Sequence, residues 1–121
     1  MFLFLVAVAV AAAPVPVKAT DVAGSWTLDL RVHRDSDAPY TKPMILKVAA
    51  DGQVTGEFYN STIEDGHASA SNGRACFAIR TSDGRAPYQH SGCRVGDHIE
   101  GLSWSEGRKF LLSWVATRTA P

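Results

Sequence analysis

Two cysteines, four histidines and one short serine motif are the residues of this chain with chemistry to offer. Cys76 and Cys93 bracket the stretch "ACFAIRTSDGRAPYQHSGC". A metal site there would draw on His90, Cys93 and His98. Positions three apart on a strand point to opposite faces, so His90 and Cys93 could not converge on one ion. A tetrahedral site also needs a fourth ligand, and no Cys-x-x-Cys supplies it. A redox pair wants its thiols close in sequence or one of them at a helix start, and neither holds. A turn centred between Gly84 and Arg85 instead sets Cys76 directly opposite Cys93 in an antiparallel hairpin. Cross-strand Cβ atoms are then about 4.5–5.5 Å apart, near disulfide reach. The expectation is a structural disulfide, with no metal and no cofactor.

A nucleophile is equally hard to find. Gly101-Leu102-Ser103-Trp104-Ser105 lacks the second glycine of a strained elbow, and no helix is predicted after it. His33, His67, His90 and His98 are scattered. Glu64 and Asp65 sit side by side in a loop, where solvation accounts for them. Asn60-Ser61-Thr62 matches a glycosylation acceptor, of consequence only in a eukaryotic host. No enzymatic activity is expected.

The elements that must position these residues are all strands. After Thr20 the hydrophobic pattern alternates with period two, and turn formers recur about every 8–14 residues. In "PMILKVAADGQVTGEFYN" a three-residue loop, Ala50-Asp51-Gly52, pairs Val48 with Val54, Leu46 with Gly56 and Met44 with Phe58. The same reasoning along the chain yields eight strands, near 25–32, 44–49, 53–60, 66–71, 75–81, 88–95, 98–103 and 109–117. The expected fold is all-β: an eight-stranded antiparallel up-and-down barrel, closed to remove exposed edges. The cysteine register puts Phe77, Ile79 and Thr81 on one face with Tyr88, His90 and Gly92. A two-residue turn at Gly96-Asp97 carries that face to Gly101 and Ser103. Arg94 falls on it too, which suggests a slip of parity near Val95. Asn60, Tyr88, His90 and Ser103 are thus polar groups expected to point inward among Leu28, Leu46, Phe58 and Ile79. Apolar walls with a few convergent polar groups are how ligand pockets are built. The competing outcome is a barrel that fills itself with side chains. The candidate ligand-binding residues are Phe58, Asn60, Tyr88, His90 and Ser103.

The chain opens with "MFLFLVAVAVAAAPVPVKAT", an apolar run too short for a bilayer, which needs about 20 apolar residues. It is expected to be a secretory signal peptide, residues 1–19, cleaved after Ala19, although no Lys or Arg precedes the run. A retained anchor is the alternative. Residues 20–121 would form a single domain of 102 residues with 11 basic and 12 acidic groups. A near-neutral domain has no electrostatic footprint for nucleic acid or anionic lipid, so neither nucleic acid nor, after cleavage, membrane is an expected partner. Export to a secreted or periplasmic location makes a disulfide both permitted and useful.

"AGSWTLDL" resembles the G-x-W strand of the calycins, the superfamily of lipocalins, fatty-acid-binding proteins and avidins. "DGQVTGEFYN" resembles the third strand of avidins and "SWVATR" their last. "GCRVGDHIEGLSW" with "WVATR" also looks like small secreted β-domains of unassigned function in bacteria. The resemblance implies that Trp26 packs under Arg118 to close the barrel base. It does not imply biotin binding, because Leu28 and Phe58 stand where that family bonds biotin. Periplasmic metalloprotease inhibitors are similar too, as single-disulfide barrels with a G-x-W strand whose inhibitory segment would here be "TDVAGSW". The leading expectation is a non-catalytic module holding a small, partly apolar ligand. The alternative is a protein-binding module such as a protease inhibitor.

Overall fold

A computed structural model describes residues 2–8 and 15–120. Part of the expected leader, residues 1 and 9–14, lies outside the described residues, as does Pro121. Among the described residues, no helix is long and apolar enough to cross a membrane.

The fold is all-β. Among the described residues, a single turn of 3-10 helix at Ala19–Val22 leads into nine strands. These are β1 (Gly24–Asp29), β2 (Thr41–Val48), β3 (Val54–Phe58), β4 (Ser61–Thr62), β5 (Asp65–Ser71), β6 (Arg74–Ser82), β7 (Pro87–Val95), β8 (His98–Ser105) and β9 (Phe110–Arg118). They form one antiparallel sheet in the order β4-β3-β2-β1-β9-β8-β7-β6-β5, curled into a half-barrel. First and last strands are joined through Trp26–Arg118 to Asp29–Val115. The two edges of the sheet meet at a seam without a continuous ladder, where Gln53 bridges His67 and the Ala68 N–H donates to the Gly52 carbonyl at 2.8 Å.

The strand count is nine rather than the eight expected, and the reason is local. Tyr59 and Asn60 both take left-handed backbone angles, with φ of 53° and 65°. That tight turn ends β3 at Phe58 and folds Ser61–Thr62 back beside it as β4. The registers read from turn chemistry hold elsewhere: Met44 faces Phe58, Val48 faces Val54, Cys76 faces Cys93 and His90 faces Ser103. The inner-face parity does not slip near Val95 either, because Arg94 still pairs with Ile99 and turns its guanidinium to the end of the sheet.

One end is sealed by the helical turn and Ala23. The carbonyls of three consecutive residues are taken by side chains from three strands: Asp21 by Arg94 Nη1 at 3.0 Å, Val22 by Trp26 Nε1 at 3.0 Å, and Ala23 by Arg118 Nη1 at 2.7 Å. The Arg118 guanidinium also lies 4.0 Å from the Trp26 ring centroid, a cation–π contact. Above this plug the interior is packed solid with Val22, Trp26, Met44, Leu46, Ile99 and Ala116, each at most 1% exposed.

Cys76 and Cys93 are disulfide-bonded, their Cα atoms 4.0 Å apart. Removing the bond by reductant, or by Cys76→Ala with Cys93→Ala, should cost about 3 kcal/mol and roughly 10–20 °C in melting temperature. Two freely alkylated thiols in the native, unreduced protein would contradict this. Gly101 faces Trp114 across the β8–β9 ladder, and a methyl group there would collide with the six-membered ring of the indole. Gly101→Ala should therefore destabilise the protein by about 1–3 kcal/mol in denaturant titration, the usual cost of overpacking.

Candidate functional site

The end of the half-barrel opposite the plug is hollow. A half-open pocket of about 320 Å³ lies there. Its deep wall carries Phe58, Thr81, His90 and Ser103, with Leu30 and Leu112 at the sides. Asp83, Tyr88, Arg108 and Phe110 form the rim, together with Tyr59 and Ser61. Alternation explains the deep wall: Thr81 on β6, His90 on β7, Ser103 on β8 and Leu112 on β9 all belong to the inward set of their strands.

These polar groups form one chain. Trp114 Nε1 donates to Ser103 Oγ at 2.9 Å, Ser103 Oγ lies 2.6 Å from His90 Nδ1, and His90 Nε2 lies 2.9 Å from Thr81 Oγ1. Phe58 stacks on the imidazole with ring centroids 3.7 Å apart, and Tyr88 runs nearly parallel to it at 6.0 Å. Burial in this apolar setting pushes the His90 imidazole down to about 4, so it is neutral at ordinary pH. At the rim, Arg108 Nη2 donates to Asp83 Oδ2 at 2.7 Å and Tyr88 Oη to the same oxygen at 3.4 Å. Backbone N–H groups of Arg85 and Ala86, followed by Arg108, hold the Asp83 carboxyl down to about 2.

Of the residues singled out from sequence, Phe58, Tyr88, His90 and Ser103 meet at this pocket. Asn60 does not. It is exposed, because the left-handed Tyr59-Asn60 turn takes it out of the strand before alternation could carry it inward. Trp26 and Arg118 touch each other at the plugged end, remote from the pocket. Cys93 is committed to its disulfide, while His98 lies on the outer face of β8 against Asp97 and Glu100. Thr81, Trp114 and Leu112 complete the site without having been singled out as binding residues. The alternation that places Ser103 inward, carried one hairpin further, would have found Leu112 and Trp114.

Ser103 beside His90 has the outline of a nucleophile and base without a carboxylate as third member. The oxygen of Ser103 already accepts the indole N–H, and the far nitrogen of His90 meets a hydroxyl instead of the carboxylate that would steady an imidazolium. A second cleft, of about 390 Å³, is walled partly by residues 15–18 and would lose that wall on removal of residues 1–19.

No protein-family model matches the chain, and no curated protein or solved structure matches it either.

The buried imidazole makes stability depend on pH. The unfolded chain takes up a proton near pH 6.5, whereas the folded one resists until about 4. Between those values the unfolded state binds more protons, so stability should fall by about 3 kcal/mol as pH drops through the window. His90→Phe should flatten this part of the stability profile, and the His90 ring signals should titrate near pH 4 by NMR.

Proposed function

We propose that this protein is a non-catalytic binding module, exported to an oxidising secreted or periplasmic compartment, which holds a small, partly apolar ligand in the pocket beneath Tyr88 and Phe110. The observation that carries this reading is the pocket itself, about 320 Å³ of space left open at one end of the half-barrel. That volume sits at the small end of the roughly 300–1,000 Å³ typical of ligand sites. Its wall has the composition of such sites, with Leu30, Phe58 and Leu112 surrounding the few polar groups on Thr81, His90 and Ser103. The disulfide supports export, because cross-links of this kind persist in oxidising compartments. The Trp26–Arg118 contact and the first-to-last strand pairing support the calycin likeness as part of the same reading.

The protein-binding alternative has one observation in its favour. Leu102, Trp104 and Leu111 are 48%, 39% and 65% exposed on the outer face of β8 and β9. The inhibitor form of that alternative is the weaker one, since residues 20–23 are held against the sheet end by Arg94, Trp26 and Arg118 and do not project as an inhibitory segment must.

The pocket is tested with N-phenylnaphthylamine, an uncharged dye whose emission rises in apolar surroundings. The wild-type protein should enhance its fluorescence with saturable binding. Leu112→Trp, which fills the pocket from its side, should abolish the enhancement without lowering the melting temperature. Equal dye binding by the two proteins would overturn the assignment. Under the protein-binding reading, Trp104→Ser with Leu111→Ser would lose the partner while leaving dye binding intact.

A further inference from the structure

The hydrogen-bond chain in the deep wall contains one donor more than it can use. Trp114, Ser103, neutral His90 and Thr81 bring four N–H or O–H donors: the indole, two hydroxyls and one imidazole N–H. Three bonds link them, Trp114 to Ser103, Ser103 to His90 and His90 to Thr81, and each consumes one hydrogen. Either imidazole tautomer leaves the same remainder. With hydrogen on Nε2, His90 donates to Thr81, Ser103 donates to Nδ1, and the Thr81 hydroxyl proton is spare. With hydrogen on Nδ1, Thr81 donates to Nε2 and the Ser103 hydroxyl proton is spare. Among the described residues neither hydroxyl makes another hydrogen bond, and both residues line the pocket at 3% exposure. A donor facing an apolar pocket favours an acceptor, and a ligand oxygen placed there would take this proton.

Charge selects further. No cation stands in the deep wall, and the Arg108 guanidinium at the rim is already bonded to Asp83. A carboxylate pushed into the pocket would thus be desolvated without a counter-ion, and an ammonium would meet a chain already rich in donors. The stacked rings of Phe58 and His90, with Tyr88 nearly parallel and Phe110 edge-on to it at 6.2 Å, favour a flat ring over a flexible chain.

Building on the pocket reading above, we infer that the ligand is an uncharged, ring-bearing molecule with one carbonyl or ether oxygen, which accepts the spare hydroxyl proton of the Thr81–His90–Ser103 chain. Charged molecules of the same shape are rejected. The single oxygen orients the ligand with its polar end inward and its apolar end toward Phe110, opposite to the pose of an amphiphile with its head at the mouth.

Four near-isosteric probes test this by displacing N-phenylnaphthylamine from the wild-type protein: ethylnaphthalene, acetylnaphthalene, naphthoate and naphthylethylammonium. Acetylnaphthalene should bind roughly tenfold more tightly than ethylnaphthalene, the worth of one hydrogen bond. Both charged probes should bind more weakly than the hydrocarbon. The carbonyl stretch of bound acetylnaphthalene should shift to lower frequency than in an alkane, as a hydrogen-bonded ketone does. Equal affinity of ketone and hydrocarbon, an unshifted stretch, or tightest binding by naphthoate would each overturn the inference. Dye binding abolished by Leu112→Trp would still stand in those cases, so the pocket reading survives them. Failure of the dye itself to bind removes both.

Discussion

The three carbonyls at Asp21, Val22 and Ala23 are the constraint on which the rest of the structure leans. Arg94 reaches them from β7, Trp26 from β1 and Arg118 from β9, so one turn of chain ties the first, seventh and last strands together. Burial of Trp26 beneath Arg118 makes its bond to the Val22 carbonyl costly to break, because an unpartnered indole N–H would remain inside. The Arg118 guanidinium has its proton affinity lowered first by partial burial and then by Arg94 nearby, a sign that the two arginines crowd the same end. With that end filled, the unfilled volume is displaced to the opposite end, where the turns after β6 and β8 are joined by the Asp83–Arg108 pair.

Much of the architecture was legible in the sequence because short turns fix register and register fixes faces. The Ala50-Asp51-Gly52 loop determined which residues of β2 and β3 face inward, and the Gly96-Asp97 turn did the same for β7 and β8. The disulfide followed from the same arithmetic applied to Cys76 and Cys93. Asn60 escaped because a non-glycine pair in left-handed geometry carries no reliable signature, and Tyr59 reads as a strand residue. The seam escaped for another reason. Whether the edges of a curled sheet join depends on the summed twist of all the strands, which no single segment encodes.

The site was partly legible for the same physical cause. Alternation brings Tyr88, His90 and Ser103 to one face, yet it cannot say whether they touch, fill the space or leave it open. The answer lies in groups from distant segments: Phe58 stacked on His90, Trp114 bonded to Ser103, and Thr81 completing the chain from the neighbouring strand. Ser105 is a reminder that inward parity alone does not make a polar group functional. It is wholly buried with no hydrogen-bond partner for its hydroxyl and does not line the pocket.

Gly101 reaches the pocket wall indirectly, through Trp114. The bare backbone at that position leaves room for the Trp114 indole, and the indole in turn holds the Ser103 oxygen. A single added methyl, out of reach of any occupant of the pocket, would tilt the indole and swing the hydroxyl it anchors. On the proposed reading, selectivity would be open to retuning from behind the wall, through the placing of one hydroxyl and with no exchange of the residues that line the pocket.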